Sequence, residues 1–423
     1  MATDIFTLEA VPARYGDCLL VHYGSDEAPR VMLVDGGPSK VWDKFLEPRL
    51  RALQAARGAG FRIDLMMVSH IDDDHVLGLV DFTTAWREKK GEGAPWPYPV
   101  REAWFNSFER ISNGKDIGSV TASVTASTGA GGWDEIDPDR PEIANANKDE
   151  ARAALKVLAS VGNGKELRDD LDALGVPTNT GFEGHLVRPG QGPQVPFKLG
   201  KDLTLHVVAP LAAQLDALQK MFAKDLKPEA ALAAYTDGSV PNLSSIAAVA
   251  RFKGKTMLLT GDARGDYLIE GLKAEGLLDA AGKLHVDILK MPHHGSDRNV
   301  DPSFFSTITA DHYVASADGT FGNPDRPTLE MLIDRRGKAA RFTIHLTYPL
   351  ADIDARRQAE WTKDRQGEID KKKSKVRRPW NSATDDLGTL FEDRAAAGYQ
   401  FTVSAPAAVG HSAKVELLGA IPN

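Results

Sequence analysis

Ten residues, SHIDDDHVLG (Ser69–Gly78), restrict this chain more than any other stretch. They follow the apolar run LMMV and set three consecutive aspartates between His70 and His75. Acids this dense repel one another, and a fold keeps them only where something offsets their charge. Helix capping is the plain explanation, with Asp72 or Asp73 as N-cap and further acids in the first turn. Capping accounts for one or two acids and leaves the flanking histidines unexplained. In extended backbone, residues two apart point the same way, so His70 and Asp72 face one site. Asp74 and His75 open the following helix, where the chain turns and a second pair approaches from another side. Two imidazoles and two or three carboxylates on one loop call for a cation. A pair of divalent metal ions would supply it, with the carboxylates as ligands or as hydrogen-bond partners of ligands.

The surrounding pattern sets this loop in an α/β frame. IFTLEAV, CLLVHYG and VMLVDGG (Val31–Gly37) read as strands of a mostly antiparallel start. LEPRLRALQAARG has helical spacing and ends at glycine. FRIDLMMVSH is a buried strand and HVLGLVDFTTAWREKK a helix. The acid cluster thus falls between a strand's C-terminal end and a helix's N-terminus, where α/β folds place ligands. Residues 107–200 are looser: SNGKDIGSVTASVTASTGAGGWDE reads as a mobile loop, and NKDEARAALKVLASVG and KELRDDLDALG as two helices, each stopped by glycine. Strands resume with DLTLHVVAP, and SIAAVARFKGKTMLLTGDA reads as a hairpin turning at Lys253–Gly254. VDILKMPHHGS and HYVASADGTFGNPDRPT repeat the strand-then-polar-loop plan, and FTVSA and KVELLG read as two final strands. A β-rich half, an inserted segment and a second β-rich half suggest a two-layered sandwich with helices outside.

Composition narrows the function classes. The chain has 423 residues, 42% hydrophobic and 26% charged, which is ordinary for a globular protein. No apolar run approaches the roughly 18 residues that cross a bilayer, so no membrane partner is expected. The start, MATDIFTLEAVPARYGD, has no basic flank ahead of an apolar stretch, so a cytoplasmic location is the default expectation. A single cysteine, Cys18, rules out an internal disulfide and any cysteine-rich zinc site; within CLLVHY it reads as a buried, inert thiol. The net charge of −8 argues against coating nucleic acid by bulk electrostatics.

Two further strand ends carry chemistry. Asp262 follows MLLTG, and His293 and His294 follow ILKMP. A lone aspartate after a strand is usually a turn former. Paired histidines before Gly-Ser are seldom core residues, because burying two imidazoles requires two sets of partners.

Together these residues resemble the metallo-β-lactamase superfamily and, more narrowly, the hydrolase domain of the competence protein ComEC. The matching stretches are YGDCLLV with VMLVDGG, VSHIDDDHVLG, NLSSIAAVARFKGKTMLLTGD and LKMPHHGS. The resemblance covers roughly residues 5–110 and 200–335. It implies one α/β (α+β) domain over residues 1–423, a metallo-β-lactamase-like αββα sandwich with a metal site at one edge. Residues 107–200 would be an insertion and 337–423 a C-terminal extension. It also implies two divalent metal ions: His70 and Asp72 on one, Asp74 and His75 on the other, Asp262 bridging, and His293 or His294 completing the second. Asp35 would lie beneath the site. Asn242 and Ser245 resemble polar residues on the strand before the Gly-Asp turn.

Departures from the pattern shape the expectation. Asp72 stands where most of the superfamily has histidine, which hardens the site and makes manganese as suitable as zinc. The superfamily's extra histidine has no clear counterpart; His185, His206 and Asn106 are the candidates, each with a structural alternative. Gly322-Asn323-Pro324 stands where ComEC-like proteins carry Gly-His-Pro. Asn323 would then bind substrate, with Ser296 beside it, and Asp325 or His294 would take over proton donation. Asp74 or Asp262 would orient a water for attack.

The expected function is a metal-dependent phosphodiesterase or nuclease, with nucleic acid or another phosphodiester as substrate. The basic run Lys371–Arg378 followed by Trp380 suits single-stranded nucleic acid, against the plain reading of a solvated helix face. The alternatives are a hydrolase of a small ester, lactone or thioester on the same fold, and a non-catalytic, metal-stabilised partner of a protein encoded elsewhere.

Overall fold

The structure, a computed structural model, describes residues 2–111, 148–191, 196–216 and 244–421. Asn242 and the Ser-Thr-Gly-rich run 112–135 lie outside the described residues.

Two sheets stack face to face. The first has six strands: β1 (Asp4–Ala10), β2 (Leu19–Ser25), β3 (Pro29–Val34), β4 (Leu65–Val68), β5 (Ala103–Phe105) and a late arrival, Ala413–Leu418, called β14 below. Its order is β14-β1-β2-β3-β4-β5. It is antiparallel from β14 to β3 and parallel from β3 to β5. The second sheet has eight strands: β6 (Phe197–Leu199), β7 (Leu203–Ala209), β8 (Ala247–Phe252), β9 (Lys255–Leu259), β10 (Leu284–Lys290), β11 (Ile308–Ala315), β12 (Phe342–Leu346) and β13 (Phe401–Ser404). These lie in reverse order, β13 to β6, antiparallel from β6 to β9 and parallel from β9 to β13.

Side-chain alternation explains the layering. Leu19, Val21, Met32, Val34 and Met67 point into the space between the sheets, where they meet Leu205, Ala250, Met257, Leu259 and Val314. Their neighbours Leu20, Leu33, Met66 and Val68 point the other way. That outer face is covered by α1 (Glu47–Arg57), α2 (Asp73–Gly91) and α3 (Lys148–Leu174) through Leu50, Leu53, Val76, Leu79, Phe82, Leu167 and Leu171. The outer face of the second sheet is covered by α4 (Gly265–Ala274), α5 (Arg326–Arg336), α6 (Leu350–Asp370) and α7 (Leu387–Ala396). The result is the expected αββα sandwich.

Three features differ from the sequence reading or refine it. Residues 148–174 form one helix rather than two, running through Gly162 and Gly164. Gly164 does not stop the helix; a Cβ there would lie 3.0 Å from Ile71 Cγ2, so the glycine permits close approach to the acid-bearing loop. Part of the 107–200 segment belongs to the sandwich itself: Phe182 and Phe197 set their rings 5.1 and 4.9 Å from that of fully buried Trp104. The two final strands separate, with β13 extending one sheet and β14 the other.

Candidate metal centre

The C-terminal ends of β4, β9 and β10 meet at one edge of the sandwich. Ile246 N donates to Ser69 O across 2.8 Å, and His293 N donates to Gly261 O across 3.2 Å. Gly261 sits where a Cβ would come within 2.8 Å of Ser69 Cβ. The Asp35-Gly36-Gly37 turn after β3 locks the start of α2. Gly36 N donates to His75 O (2.8 Å) and Gly78 N to Gly37 O (2.9 Å), while a Cβ on Gly78 would lie 1.9 Å from Gly36 O. Bulk at that crossing would push α2, and the acids that open it, off the sheet.

The three aspartates divide their roles. Asp72 occupies the N-cap of α2, but its side chain makes no capping hydrogen bond. Asp73 turns toward α3, where its Oδ1 accepts from Ser160 Oγ (3.1 Å) and Asn163 Nδ2 (2.9 Å). Asp72 and Asp74 turn to the cluster, with His70 Nε2 3.5 Å from Asp72 Oδ2 and His294 Nε2 3.4 Å from Asp74 Oδ2.

Asp262 stands between two groups of histidines. Its Oδ1 lies 3.3 Å from His75 Nε2 and 3.5 Å from His294 Nε2. Its Oδ2 lies 3.5 Å from His293 Nε2 and 3.9 Å from His70 Nε2. Donor atoms of Asp74, His75, Asp262 and His294 all lie within 4.8 Å of one another. Both histidines of the pair therefore approach the cluster, His294 beside Asp74 and His75, and His293 at the oxygen that faces His70.

Hydrogen bonding fixes which ring nitrogen carries the proton. Ser69 N and Oγ both donate to Asp35 (2.7 Å each), so Ser69 Oγ accepts from His70 Nδ1 (3.0 Å). His75 Nδ1 donates to Asp35 Oδ2 (2.9 Å). Asn299 Nδ2 donates to Asp262 O, which turns its Oδ1 to accept from His293 Nδ1 (2.7 Å). His294 Nδ1 faces Asp17 Oδ1 at 3.3 Å. Each Nδ1 thus has an acceptor, and each Nε2 lone pair is directed at the carboxylates. Buried His70 Nε2, His75 Nε2, His294 Nε2 and Asp262 Oδ1 have no hydrogen-bond partner. Such an array is repulsive unless positive charge sits within it.

The acid–base balance has the same cause. Burial alone would raise the carboxyls of Asp74 and Asp262, but the surrounding imidazoles outweigh it and hold both low. Burial alone would lower His75 and His294, but Asp262 and its neighbouring acids outweigh it and hold both well above the usual imidazole range. The cluster draws cations to the Nε2 positions, whether protons or metal ions. The donor set, imidazoles mixed with three carboxylates, suits zinc and manganese alike.

Beneath His294 lies a group that the sequence reading missed. Asp17 and Lys290 are both almost fully buried, with Lys290 Nζ 2.5 Å from Asp17 Oδ2. Ser316 Oγ donates to Asp17 Oδ1. A lysine inside the apolar run VDILKM signals a buried acid partner, and the aspartate of YGDC is the acid it finds.

The remaining candidates take other places. His206 pairs with Glu275 at 2.7 Å, and Asn106 hydrogen-bonds both backbone groups of Val187. His185 lies exposed, outside the cluster. Ser245 Oγ accepts from Asp262 N at 3.3 Å. Ser296 is buried in the turn after His294, and its N donates to His293 O. Asn323 is half-buried, on a turn joined to that one where Asp325 N donates to Gly295 O (3.0 Å). In the basic run, Arg377 pairs with Glu368 and Asp364, Arg378 pairs with Asp385, and Arg357 lies over the Trp380 ring. The two arginines and the tryptophan are thereby tied into α6 and its neighbours, whereas Lys372, Lys373 and Lys375 are exposed.

Comparison with known proteins gives a coarse assignment. Residues 12–189 match the family model of the Metallo-beta-lactamase superfamily. Among solved structures, the metallo-beta-lactamase fold protein YhfI from Bacillus subtilis is similar, at 12% identity and a TM-score of 0.38, with 97% of this chain and 99% of that chain covered. No curated protein gives a significant match. Among the described residues, no helix is long and apolar enough to cross a membrane.

Proposed function

We propose that this chain, metallo-β-lactamase-like in sequence over residues 12–189 and in its αββα layering, is a metal-dependent hydrolase of phosphodiesters, with nucleic acid as the favoured substrate. The observation that carries the reading is the convergence of four buried polar atoms without hydrogen-bond partners, three imidazole nitrogens and one oxygen of Asp262. His70, Asp72 and His293 would hold one divalent ion, Asp74, His75 and His294 a second, and Asp262 would bridge them. Two ions held there would supply Lewis acidity and bring the ionisation of a bound water toward neutral pH.

The chain's own residues do the rest. Asp35 and Ser69 fix the tautomers of His75 and His70, and Asn299 fixes that of His293. Asp72, Asp74 and His293 are the partly exposed members, with side chains 29%, 22% and 26% accessible, so substrate enters on their side. In this reading Asp74 accepts a proton from an attacking water, and Asn323 donates a hydrogen bond to substrate. The phosphodiester assignment rests on the resemblance of YGDCLLV, VSHIDDDHVLG and LKMPHHGS to ComEC-like hydrolases.

The test is cleavage of end-labelled single- and double-stranded DNA and RNA with manganese, zinc or magnesium, beside the Asp74→Ala/His75→Ala variant. Bis(p-nitrophenyl) phosphate and nitrocefin serve as small-molecule controls. Metal-dependent cleavage of a polymer, lost in the variant, is the expected result. Turnover of nitrocefin or a lactone with no phosphodiester cleaved would replace this reading with a small-ester hydrolase.

A further inference from the structure

Among the described residues, the most exposed large hydrophobic side chain is Phe321, at 65%. It lies at φ 59°, a left-handed conformation that bulky residues seldom adopt. The strain is held by its surroundings: Arg357 Nε donates to Gly322 O (3.0 Å), and Gly319 N donates to Asn323 O (3.0 Å). Phe321 thus combines strained backbone with a largely exposed aromatic side chain, and strained positions concentrate where ligands bind.

The place of Phe321 says what kind of ligand. Its ring meets that of Tyr15 edge-on, at 5.2 Å and 72°. Arg14 lies over the Tyr15 ring at 5.0 Å, itself in left-handed backbone at φ 55°, with its N donating to Tyr348 Oη (2.7 Å). The next residues, Gly16 and Asp17, press on the metal centre. A Cβ on Gly16 would lie 1.9 Å from Asp74 O, and Asp17 N donates to Asp74 O. On the other side, the Phe321 turn continues into Pro324, which packs against Gly295 beside His294. Two loops, one from each sheet, therefore raise an aromatic pair and a guanidinium at the rim of the acid–histidine cluster. A planar ring system joined to a phosphate fits that combination, because rings stack on aromatic faces and phosphates pair with arginine.

We propose that Phe321, braced by Tyr15 and flanked by Arg14, is the platform on which a nucleobase of the substrate stacks while its phosphodiester lies at the metal centre. This rests on the phosphodiesterase reading and narrows its substrate to a nucleotidyl group.

The test compares a labelled oligothymidylate with an oligomer of equal length built from abasic tetrahydrofuran units. The expected KM of the wild-type protein is lower for the base-bearing polymer. Phe321→Ala should raise that KM by about tenfold or more, the effect of losing one base–aromatic stack, and leave kcat and the abasic polymer unchanged. Phe321→Trp should retain the preference. Phe321→Gly should lose it while melting at a higher temperature, because the strain is relieved, so loss of binding is separated from loss of fold. Equal cleavage of both polymers by the wild type, or a preference that survives Phe321→Ala, overturns the platform. If the wild type cleaves no phosphodiester at all, the phosphodiesterase reading fails, and the platform is judged by binding alone. Quenching of a 2-aminopurine dinucleotide in EDTA by the wild type but not by Phe321→Ala then sustains it, and absence of quenching ends it.

Discussion

His293 and His294 are adjacent in the chain, yet their Nε2 atoms face different oxygens of Asp262, each at 3.5 Å. Both residues lie in left-handed backbone, at φ 47° and 57°, and that double turn lets consecutive rings converge on one carboxylate from two sides. Each such residue costs on the order of 1–3 kcal/mol, which the surrounding hydrogen bonds offset. Removing each ring separately should therefore remove different ions. His294→Ala should lose the ion shared with Asp74 and His75, and His293→Ala the ion shared with His70 and Asp72. Metal content by mass spectrometry should fall from two to one in each variant. A single variant that loses both, or neither, contradicts the division.

Asp35 accepts hydrogen bonds from Ser69 and His75 at once. Asp35→Asn should weaken metal affinity by about 10–100-fold, the usual effect of losing a partner that orients a ligand. Competition with a chromophoric chelator measures this directly, and an unchanged affinity would show that Asp35 serves the fold alone.

Asp73 and Asp74 are neighbours with opposite expected phenotypes. Asp73 Oδ1 joins α2 to Ser160 and Asn163 of α3. Asp73→Ala should cost about 1–3 kcal/mol in denaturant unfolding with metal content unchanged. Asp74→Ala should instead lose metal, read by mass spectrometry, because Asp74 belongs to the group of donor atoms with His75, Asp262 and His294.

Lys290 and Asp17 form a buried ion pair, so removing one charge strands the other. Lys290→Met alone should destabilise the protein by about 3–5 kcal/mol, and adding Asp17→Asn should recover much of that loss. The double variant should still bind metal more weakly than wild type, because His294 Nδ1 then faces an amide in place of a carboxylate.

His345 should make stability fall in acid. Burial, with a further contribution from His312, whose Nδ1 lies 3.0 Å from His345 Nε2, pushes His345 down to about 4. A histidine whose folded pKa is depressed takes up its proton more readily when unfolded. Its stabilisation is therefore complete above pH 6.5 and is lost as pH falls from there through about 4. The full loss is about 3 kcal/mol. His345→Leu should flatten this part of the pH–stability curve, measured by urea unfolding at pH 7, 5.5 and 4.5.

The sandwich was legible because Leu19–Val21, Met32–Val34 and Leu65–Val68 are apolar at every position, as strands covered on both faces are. The acid–histidine loop was legible because its charge admits few explanations. Other features depended on information that local pattern does not hold. Gly162 looked like a helix stop, but the helix runs on through it and through Gly164, where close packing against Ile71 overrides the low propensity of glycine. The left-handed geometry of His293 and His294 is set by contacts around the turn, not by their residue type. Lys371–Arg378 read as a basic run partly cancelled by nearby acids, but which acids claim its two arginines, Glu368, Asp364 and Asp385, up to 13 positions away, is set by the fold.

The pairing of β14 with β1 joins Ala413 to Ala10 and Leu418 to Phe6. A nascent chain emerging from the ribosome must therefore hold β1 with one bare edge until residues 413–418 are made. Every residue of the acid–histidine cluster emerges well before that. Synthesis halted near residue 410 would yield a chain able to assemble its metal centre beside an uncovered strand, and such edges recruit other chains.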